Sequence, residues 1–383
     1  MKFRLTIIFW SCMIFCSCNS PQKEVASRAN VPVNIEEERP LSFYDLFSSL
    51  EIIPMETSDS VVMDVSLRQM HIRDHSFYFW VGKDEQIWEF DGKGRFVRRI
   101  NHYGTGPGEY TLFAGFHLNR FNRNLEVLSL GSIYQYDSLG GKFKSKIPLD
   151  CKETKAFHHF IGLTPAKYLL LSNSKTDNKM LWYDVDKQEV YAENYDIPSF
   201  IFFNTPYHHT WSPFYVYNDT VHFVQGYNGD VFTVDTIGNL TLKYHFDFGE
   251  YNFDISDLPE KDIKYYIRHK AAEGANYANR FITYGENSRY YICSFSFKNR
   301  FYQLVLNKET KEVFTFQQYK EGCYAFPMYM DEEVLYTCLM PVELAHTVNP
   351  DLLSESERKK WDSITSDDNL IVVKYNFKQK VQP

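Results

Sequence analysis

A short motif recurs six times along the chain and constrains its fold more than any other feature. Alternating apolar residues lead to an Asp or Asn, which is followed in most copies by Gly or Lys and a further apolar residue. Asp and Asn side chains hydrogen-bond the backbone of tight turns and tolerate positive φ, which is typical of β-hairpins. The copies span residues 87–96, 133–143, 180–184, 231–238, 302–309 and 371–377.

The spacing of the copies predicts the architecture. Asp91, Asp137, Asp184 and Asp235 follow one another at intervals of about 50 residues, which leaves room for four short strands in each unit. Repeated units of four antiparallel strands form the blades of a β-propeller. We therefore predict an all-β chain in which residues 41–383 fold as a six-bladed β-propeller of four-stranded antiparallel blades.

The ends of the repeat predict how the ring closes. The first unit contains candidate strands at 66–73, 77–81, 87–91 and 96–100, whereas the last unit contains only three, at 326–330, 334–339 and 370–377. We expect residues 51–55 to supply the missing fourth strand, because a closed ring leaves no strand edge open. Pro54 fits an outermost strand, where its missing N–H is not needed.

Two longer intervals predict short helical insertions. The segment 254–278 contains Pro259 after two polar residues, and then apolar residues at helical spacing. Ser354 and Glu357 form the pattern of a capping box before Trp361, which predicts a second short helix.

The first residues predict export and a lipid anchor. Two basic residues precede an apolar run at 5–15 that is too short for a stable membrane span, and Ser17 and Cys18 follow. This pattern resembles a bacterial lipobox, which implies a signal peptide at 1–17, a lipid on Cys18 and attachment to the membrane. An ordinary secretory signal or an uncleaved anchor is the alternative. Residues 18–40 are polar and lack periodicity, so we predict a flexible tether.

Composition excludes some classes of function. The formal net charge is −8 and no block of basic residues occurs, which argues against nucleic acid as a partner. No CxxC or Cys/His ligand spacing is present, so we expect no zinc site and no cofactor. We expect a monomer. The redox state of four cysteines stays open: Cys151, Cys293, Cys323 and Cys338.

Several of these residues carry a family resemblance. The run from Gly104 to Tyr110 (GTGPGEY), together with the Tyr-Asp pair at 136–137 and Gly-Lys-Phe at 141–143, resembles an NHL-type repeat. With the segment 53–57 the chain is similar to Bacteroidetes six-bladed β-propeller lipoproteins of uncharacterised function. Met55 stands where that group usually has Leu. The resemblance implies a fold and an envelope location, and it supplies no catalytic residues.

The glycine-rich run permits two interpretations. Such a run cradles phosphate when it opens a helix after a strand, but here another strand follows. A structural turn between the first two blades is therefore favoured, with Glu109 capping backbone N–H groups. A Glu109 carboxylate that faces a ligand is the alternative.

Connections between successive strands alternate between the two faces of a propeller, and this alternation predicts which residues could bind a ligand. Loops between blades and loops joining second to third strands share one face, the loop-rich face, and long loops on a rigid scaffold often carry recognition. By their spacing from the repeated Asp, polar residues are expected to begin the inner strands of blades two to four: Glu109, His158, His159, His208 and His209. A divalent metal site is a weaker hypothesis for them, and solvated loop histidines are the alternative. Tyr227 and Trp211 are candidates for stacking on a sugar, although most propeller aromatics pack between blades.

These observations favour a binding protein over an enzyme. No Ser-His-Asp arrangement, HExxH motif or P-loop is visible. The preferred hypothesis is a lipid-anchored, non-enzymatic module of the bacterial envelope that binds a protein or glycan on its loop-rich face. We expect an outer-membrane lipoprotein on the periplasmic side, because no acidic run follows Cys18. The alternatives are a hydrolase or lyase that acts on a carbohydrate or small substrate at the channel mouth, and a scaffold without a small ligand.

Overall fold

Six sheets dominate the computed structural model, which describes residues 29–64, 67–82, 85–149, 157–172, 178–197, 212–253 and 276–379. Each of the first five blades contains four consecutive antiparallel strands, and an additional N-terminal strand joins the sheet of blade four. The last sheet takes one of its four strands from the N-terminal part of the chain, and the six sheets correspond to the six predicted blades. The six-bladed β-propeller is confirmed. The repeated hairpin explains this result, because the Asp or Asn of the first five copies accepts hydrogen bonds from the turn that it begins. Asp235, for example, accepts from Ile237, Gly238 and Asn239.

The strands follow the predicted order. An N-terminal part comprises β1 (Asn30–Pro32), α1 (Phe43–Leu46) and β2 (Phe47–Pro54). Blade one comprises β3 (Leu67–Arg73), β4 (Ser76–Val81), β5 (Ile87–Phe90) and β6 (Phe96–Ile100). Blade two comprises β7 (Gly115–Leu118), β8 (Leu125–Ser129), β9 (Ser132–Tyr136) and β10 (Phe143–Pro148). Blade three comprises β11 (Phe157–Thr164), β12 (Lys167–Ser172), β13 (Asn178–Asp184) and β14 (Glu189–Ile197).

The second half of the ring repeats this plan. Blade four comprises β15 (Phe214–Tyr217), β16 (Thr220–Val224), β17 (Val231–Val234) and β18 (Leu240–Asp247). Blade five comprises β19 (Asn279–Glu286), β20 (Tyr290–Phe297), β21 (Arg300–Asn307) and β22 (Val313–Phe316). Blade six contains β23 (Tyr329–Met330), β24 (Val334–Leu339) and β25 (Ile371–Phe377). Its inner strand is shorter than the predicted 326–330.

The N-terminal strand β2 closes the ring. It pairs antiparallel with β25 along its length, from Phe47 opposite Phe377 to Pro54 opposite Ile371, and so becomes the outer strand of blade six. Pro54 lies at the end of this outermost strand, in keeping with its lack of an N–H donor. The predicted closure is confirmed, and the strand is longer than predicted.

Six apolar cores hold neighbouring blades together. Each buried cluster contains side chains from two consecutive blades, and one of them joins blade six to blade one through Val372 and Trp88. Large rings fill these interfaces, among them Tyr136, Trp182, Phe295 and Tyr375, all almost completely buried. The aromatic residues therefore serve mainly as packing between blades, where burial of each large ring contributes about 2–3 kcal/mol.

Part of the predicted tether is packed against the propeller. Strand β1 runs parallel to β18 and adds a fifth strand to blade four, and Val33 and Ile35 are buried beside it. Further along, the Arg39 N–H donates to the Thr315 carbonyl of blade five at 2.9 Å. Residues 29–40 thus lie along the outer edges of blades four and five, where polar sequence is compatible with strand pairing. The tether expected over 18–40 does not extend through these residues.

The helical segments lie between β24 and β25 and before β2. The first predicted insertion falls largely outside the described residues, at 254–275. The second contains α2 (Pro341–Thr347) and α3 (Glu355–Ser363), so it is larger than predicted. Ser354 caps α3 by accepting the Glu357 N–H, but the Glu357 carboxylate does not complete the predicted capping box. It accepts instead from the Ile52 N–H at 2.5 Å and from Lys360 Nζ at 2.8 Å, which fixes α3 to the outer strand of blade six.

Two further features concern the cysteines and the membrane. Cys293, Cys323 and Cys338 are buried free thiols, and burial raises the pKa of Cys323 to about 12. Cys151 and Cys18 lie outside the described residues. In the part of the chain that the structure describes, no helix has the length and apolar character needed to cross a membrane.

The contact between α3 and the closing strand generates a stability prediction. Glu357→Ala leaves the Ile52 N–H without its acceptor, and a buried unpaired donor costs about 1–3 kcal/mol. We expect a loss of that size in the free energy of unfolding, measured by urea titration. Glu355→Ala is the matched control, since its side chain is 87% exposed on the same helix. Equal effects of the two substitutions would contradict the role assigned to Glu357.

Candidate functional site

The inner strands of the six blades surround a central channel. They are β3, β7, β11, β15, β19 and β23, and several neighbouring pairs contact each other directly. A cavity of about 490 Å³ occupies this channel. Its polar and aromatic lining includes His71, His117, Arg120, Tyr215, Tyr284 and Glu286.

The cavity reaches the face opposite the loop-rich one. Inner strands begin on the loop-rich face and end in the turns that lead to the second strands, which we call the turn face. The lining includes four residues of three such turns, namely Arg120, Asn218, Asp331 and Glu332. The predicted binding face and the polar end of the described cavity are therefore on opposite sides of the ring.

A buried carboxylate lies on the side of the cavity between blades four and five and binds several neighbouring side chains. The Glu286 side chain is fully buried at the end of β19. Its Oε2 accepts from Lys243 Nζ at 2.7 Å and Tyr215 OH at 2.7 Å. Its Oε1 accepts from Tyr244 OH at 3.0 Å and lies 2.9 Å from Lys308 Nζ. One negative charge is thus held by two cations and two hydroxyls, which satisfies both of its oxygens.

The ionisation of this cluster follows from its geometry. Burial acts to raise the pKa of Glu286, but the charge of Lys243 and the hydrogen bonds outweigh it, so the pKa lies below its usual value. The Tyr217 ring lies between the two ammonium groups, 5.0 Å from Lys243 Nζ and 4.0 Å from Lys308 Nζ. These cation–π contacts hold both lysines beside Tyr217, which lines the cavity.

Two histidines on neighbouring inner strands face the same channel. The rings of His71 and His117 are 5.7 Å apart and nearly perpendicular. Burial lowers the pKa of His71 to about 4. Burial, reinforced by His71 and Arg120, lowers the pKa of His117 to about 3. Both imidazoles are therefore neutral at physiological pH, and each can both donate and accept a hydrogen bond.

Arg120 spans the channel on the turn face. It follows β7 of blade two, and its Nη2 donates to the Asp219 carbonyl of blade four at 3.2 Å. The guanidinium lies 4.6 Å from the centroid of the Phe121 ring. Burial lowers the pKa of Arg120, and the Asp219 charge opposes this effect. The side chain thus bridges two blades that are not neighbours in the ring.

The glycine-rich run is a structural connection. It lies between β6 and β7, as predicted, and Glu109 Oε2 accepts the Gly106 N–H at 2.7 Å. The Tyr136 hydroxyl donates to the Gly108 carbonyl at 2.8 Å, which ties the loop to blade two. Glu109 therefore caps the loop as expected. It is exposed and precedes β7 by several residues, so the expectation that it begins the inner strand is wrong.

The other predicted site residues are only partly described. His158 and His159 lie at the start of β11, the inner strand of blade three, as expected. Tyr227 lies in the turn between β16 and β17 and is buried. His208, His209 and Trp211 lie outside the described residues, as does the side chain of His158. Among the residues that are described, no three potential ligands gather around a metal position. The convergence of the histidine pairs and the metal hypothesis stay predictions.

Comparison with known proteins gives the chain a family. Residues 26–376 match the family described as Domain of unknown function (DUF4934). The chain belongs to this family. Comparison of the DUF4934 chain with curated proteins finds no match.

Two solved structures share the fold of the DUF4934 chain. One is described as an exported protein of Bacteroides fragilis, with a TM-score of 0.68, 14% identity, and coverage of 92% of this chain and 99% of that one. The other is a member of the DUF4221 family from Bacteroides vulgatus, with a TM-score of 0.50, 13% identity, and coverage of 87% and 97%. Identities this low establish a common fold only. They agree with the resemblance to uncharacterised Bacteroidetes propellers, whereas the NHL-type assignment stays a prediction.

The glycine-rich loop of the DUF4934 domain generates a second stability prediction. Gly108 has φ of +80°, and an added Cβ would lie 2.5 Å from Phe143 Cγ. Gly108→Ala is expected to lower the free energy of unfolding by about 1–3 kcal/mol, because positive φ and steric overlap both disfavour it. Gly141→Ala is the control, since nothing lies within 4 Å of the added Cβ. Urea titration of both variants tests this, and an unaffected Gly108→Ala protein would refute it.

The Glu286 cluster generates a prediction about pH. Because the folded-state pKa is depressed, the carboxylate stabilises the fold above its unfolded value and loses this effect as pH falls through the folded-state pKa. Glu286→Gln should cost about 3 kcal/mol at pH 7, because two buried ammonium groups lose their counter-charge. The variant should also lose less stability than the wild type as the pH falls below the ordinary pKa of Glu, because only the native carboxylate is then progressively protonated.

Urea titrations at several pH values separate these effects. The control is Glu333→Gln, an exposed carboxylate near the same face, for which a change within about 0.5 kcal/mol is expected. If wild type and Glu286→Gln lose stability in parallel on acidification, Glu286 is not the group that titrates.

Proposed function

We propose that this protein is a non-enzymatic binding module of the bacterial envelope that takes a small, sugar-sized ligand in its central channel. The observation that carries this proposal is the cavity of about 490 Å³ enclosed by the inner strands. Binding sites for small molecules are commonly concave cavities of about 300–1,000 Å³ with an apolar lining and a few polar groups. The channel supplies both kinds of group on a rigid scaffold.

The lining fits a ring-shaped polar molecule. Tyr215, Tyr217, Tyr284 and Tyr329 present aromatic surface to the cavity. Such rings pack against the apolar faces of sugars, and nearby polar atoms bind hydroxyl groups. His71 and His117 supply neutral nitrogens that accept or donate. The arrangement favours a glycan unit or a similar small polar ligand.

The state of the carboxylates favours binding over hydrolysis. A general acid needs a raised pKa and a proton to give, whereas Glu286 is held ionised by two lysines. Glu332 accepts from the backbone and hydroxyl of Ser288, at 2.9 Å and 2.6 Å respectively. Glu286 and Glu332, which both line the channel, are thus engaged in hydrogen bonds within the protein.

The envelope location rests on the sequence and on relatives of similar fold. The lipobox-like residues that end at Cys18 support export and lipidation, and one protein of the same fold is described as exported. We propose an outer-membrane lipoprotein on the periplasmic side. Binding of a protein or larger glycan on the loop-rich face stays part of this proposal as a second surface.

Blocking the channel tests the proposed function. Val216 lines the cavity and is 38% exposed, so Val216→Trp fills the channel without disturbing a core. Saturation-transfer difference NMR with a panel of neutral and acidic mono- and disaccharides measures binding. We expect at least one member to bind the wild type, and at least tenfold weaker binding to Val216→Trp.

A matched substitution provides the control. Val97 is 48% exposed on the outer strand of blade one, far from the channel, so Val97→Trp should bind like the wild type. Binding that survives Val216→Trp would place the ligand elsewhere, and a panel without any binder would refute the sugar-sized ligand.

A further inference from the structure

An unpartnered guanidinium nitrogen lies at the wall of the channel. Arg120 Nη2 is occupied by the Asp219 carbonyl, but Arg120 Nη1 is buried and has no hydrogen-bond partner. A buried donor without an acceptor costs free energy, more so when it is charged. Arg120 lines the cavity, and a rotation of its side chain would present this nitrogen to an acceptor in the channel.

A second unpartnered nitrogen lies on the same strand segment. His117 precedes Arg120 by three residues and lines the same cavity. Its Nε2 is also buried and has no hydrogen-bond partner. The two residues are close enough for the charge of Arg120 to act on the His117 ring. Both of these nitrogens without a hydrogen-bond partner therefore belong to side chains that line one cavity.

The other charged groups of the lining are already engaged. Glu286 is bound by Lys243 and Lys308, and Glu332 is bound by Ser288. Asp331 Oδ1 accepts two backbone N–H groups of its own turn. These acidic residues belong to blades five and six, whereas Arg120 belongs to blade two. The open hydrogen-bonding capacity is therefore on the cationic side of the channel.

We propose that the channel binds a sugar acid, with the carboxylate of the ligand accepting hydrogen bonds from Arg120 Nη1 and His117 Nε2. This inference rests on the proposed function and names the class of its ligand. A carboxylate offers two oxygens to two donors, and its charge compensates the guanidinium inside the channel. The tyrosines of blades four to six then face the sugar ring.

Isothermal titration with matched sugars tests the assignment. D-Glucuronate and D-glucose differ only in the carboxylate, so the acid should bind the wild type at least tenfold more tightly. Arg120→Gln should reduce glucuronate affinity at least tenfold and leave glucose affinity unchanged, because only the acid uses the charge-assisted hydrogen bond. His117→Phe keeps an aromatic ring, removes the donor and should weaken glucuronate binding severalfold.

Arg73→Gln is the control for loss of an arginine on the turn face. Arg73 ends the inner strand of blade one, and both of its terminal nitrogens donate to carbonyls, those of Arg123 and Ser138. It does not line the cavity, so Arg73→Gln should bind glucuronate like the wild type. Thermal melting of each variant confirms that it is folded before titration.

The outcomes separate this inference from the proposed function. Equal affinity for glucose and glucuronate, or glucuronate binding that is indifferent to Arg120→Gln, would overturn the carboxylate assignment and leave a channel that binds neutral sugars. Absence of glucuronate binding to the wild type would also overturn it. If no sugar binds the wild type, or if the observed sugar binding survives Val216→Trp, the proposed function is overturned as well.

Discussion

The pairing of β2 with β25 is the interaction on which the rest of the structure depends. Without it, β25 would be an open edge, and the core between blade six and blade one would lose Ile53 and Met55. Closure also explains why the chain approaches along blades four and five before it reaches β2. Residues 29–46 lie along the outside of the ring and contact blades four and five, which are distant from this segment in sequence.

A closed ring also determines what the channel can do. Each inner strand is packed between two neighbouring blades, so side chains from all six blades are held at fixed positions around one cavity. The scaffold can therefore keep a buried ion pair fully bonded at Glu286, while nitrogens of Arg120 and His117 elsewhere in the lining have no hydrogen-bond partner. Preorganised, unsatisfied donors favour a ligand that brings acceptors.

The sequence predicts the ring well because its information is local. An Asp or Asn in each hairpin specifies the turn, and the missing fourth strand of the last unit points to residues 51–55. The packing of residues 29–40 could not be predicted in this way. These residues are polar and lack a period, and their strand character comes from the edge of blade four, which only the folded chain provides.

The spacing of the repeat predicts where the inner strands begin, whereas the residues of the candidate site lie near the ends of these strands. Most inner strands end at an Asn or Asp that opens a turn, as at Asp74, Asn119, Asn218, Asn287 and Asp331. An aromatic or imidazole side chain precedes each of these positions by two or three residues, and all five line the cavity. In the same order they are His71, His117, Tyr215, Tyr284 and Tyr329. The repeat that specifies the hairpins thus also places these aromatic and imidazole side chains. They surround one cavity only when all six blades have assembled, so no single segment of the sequence shows that they lie together.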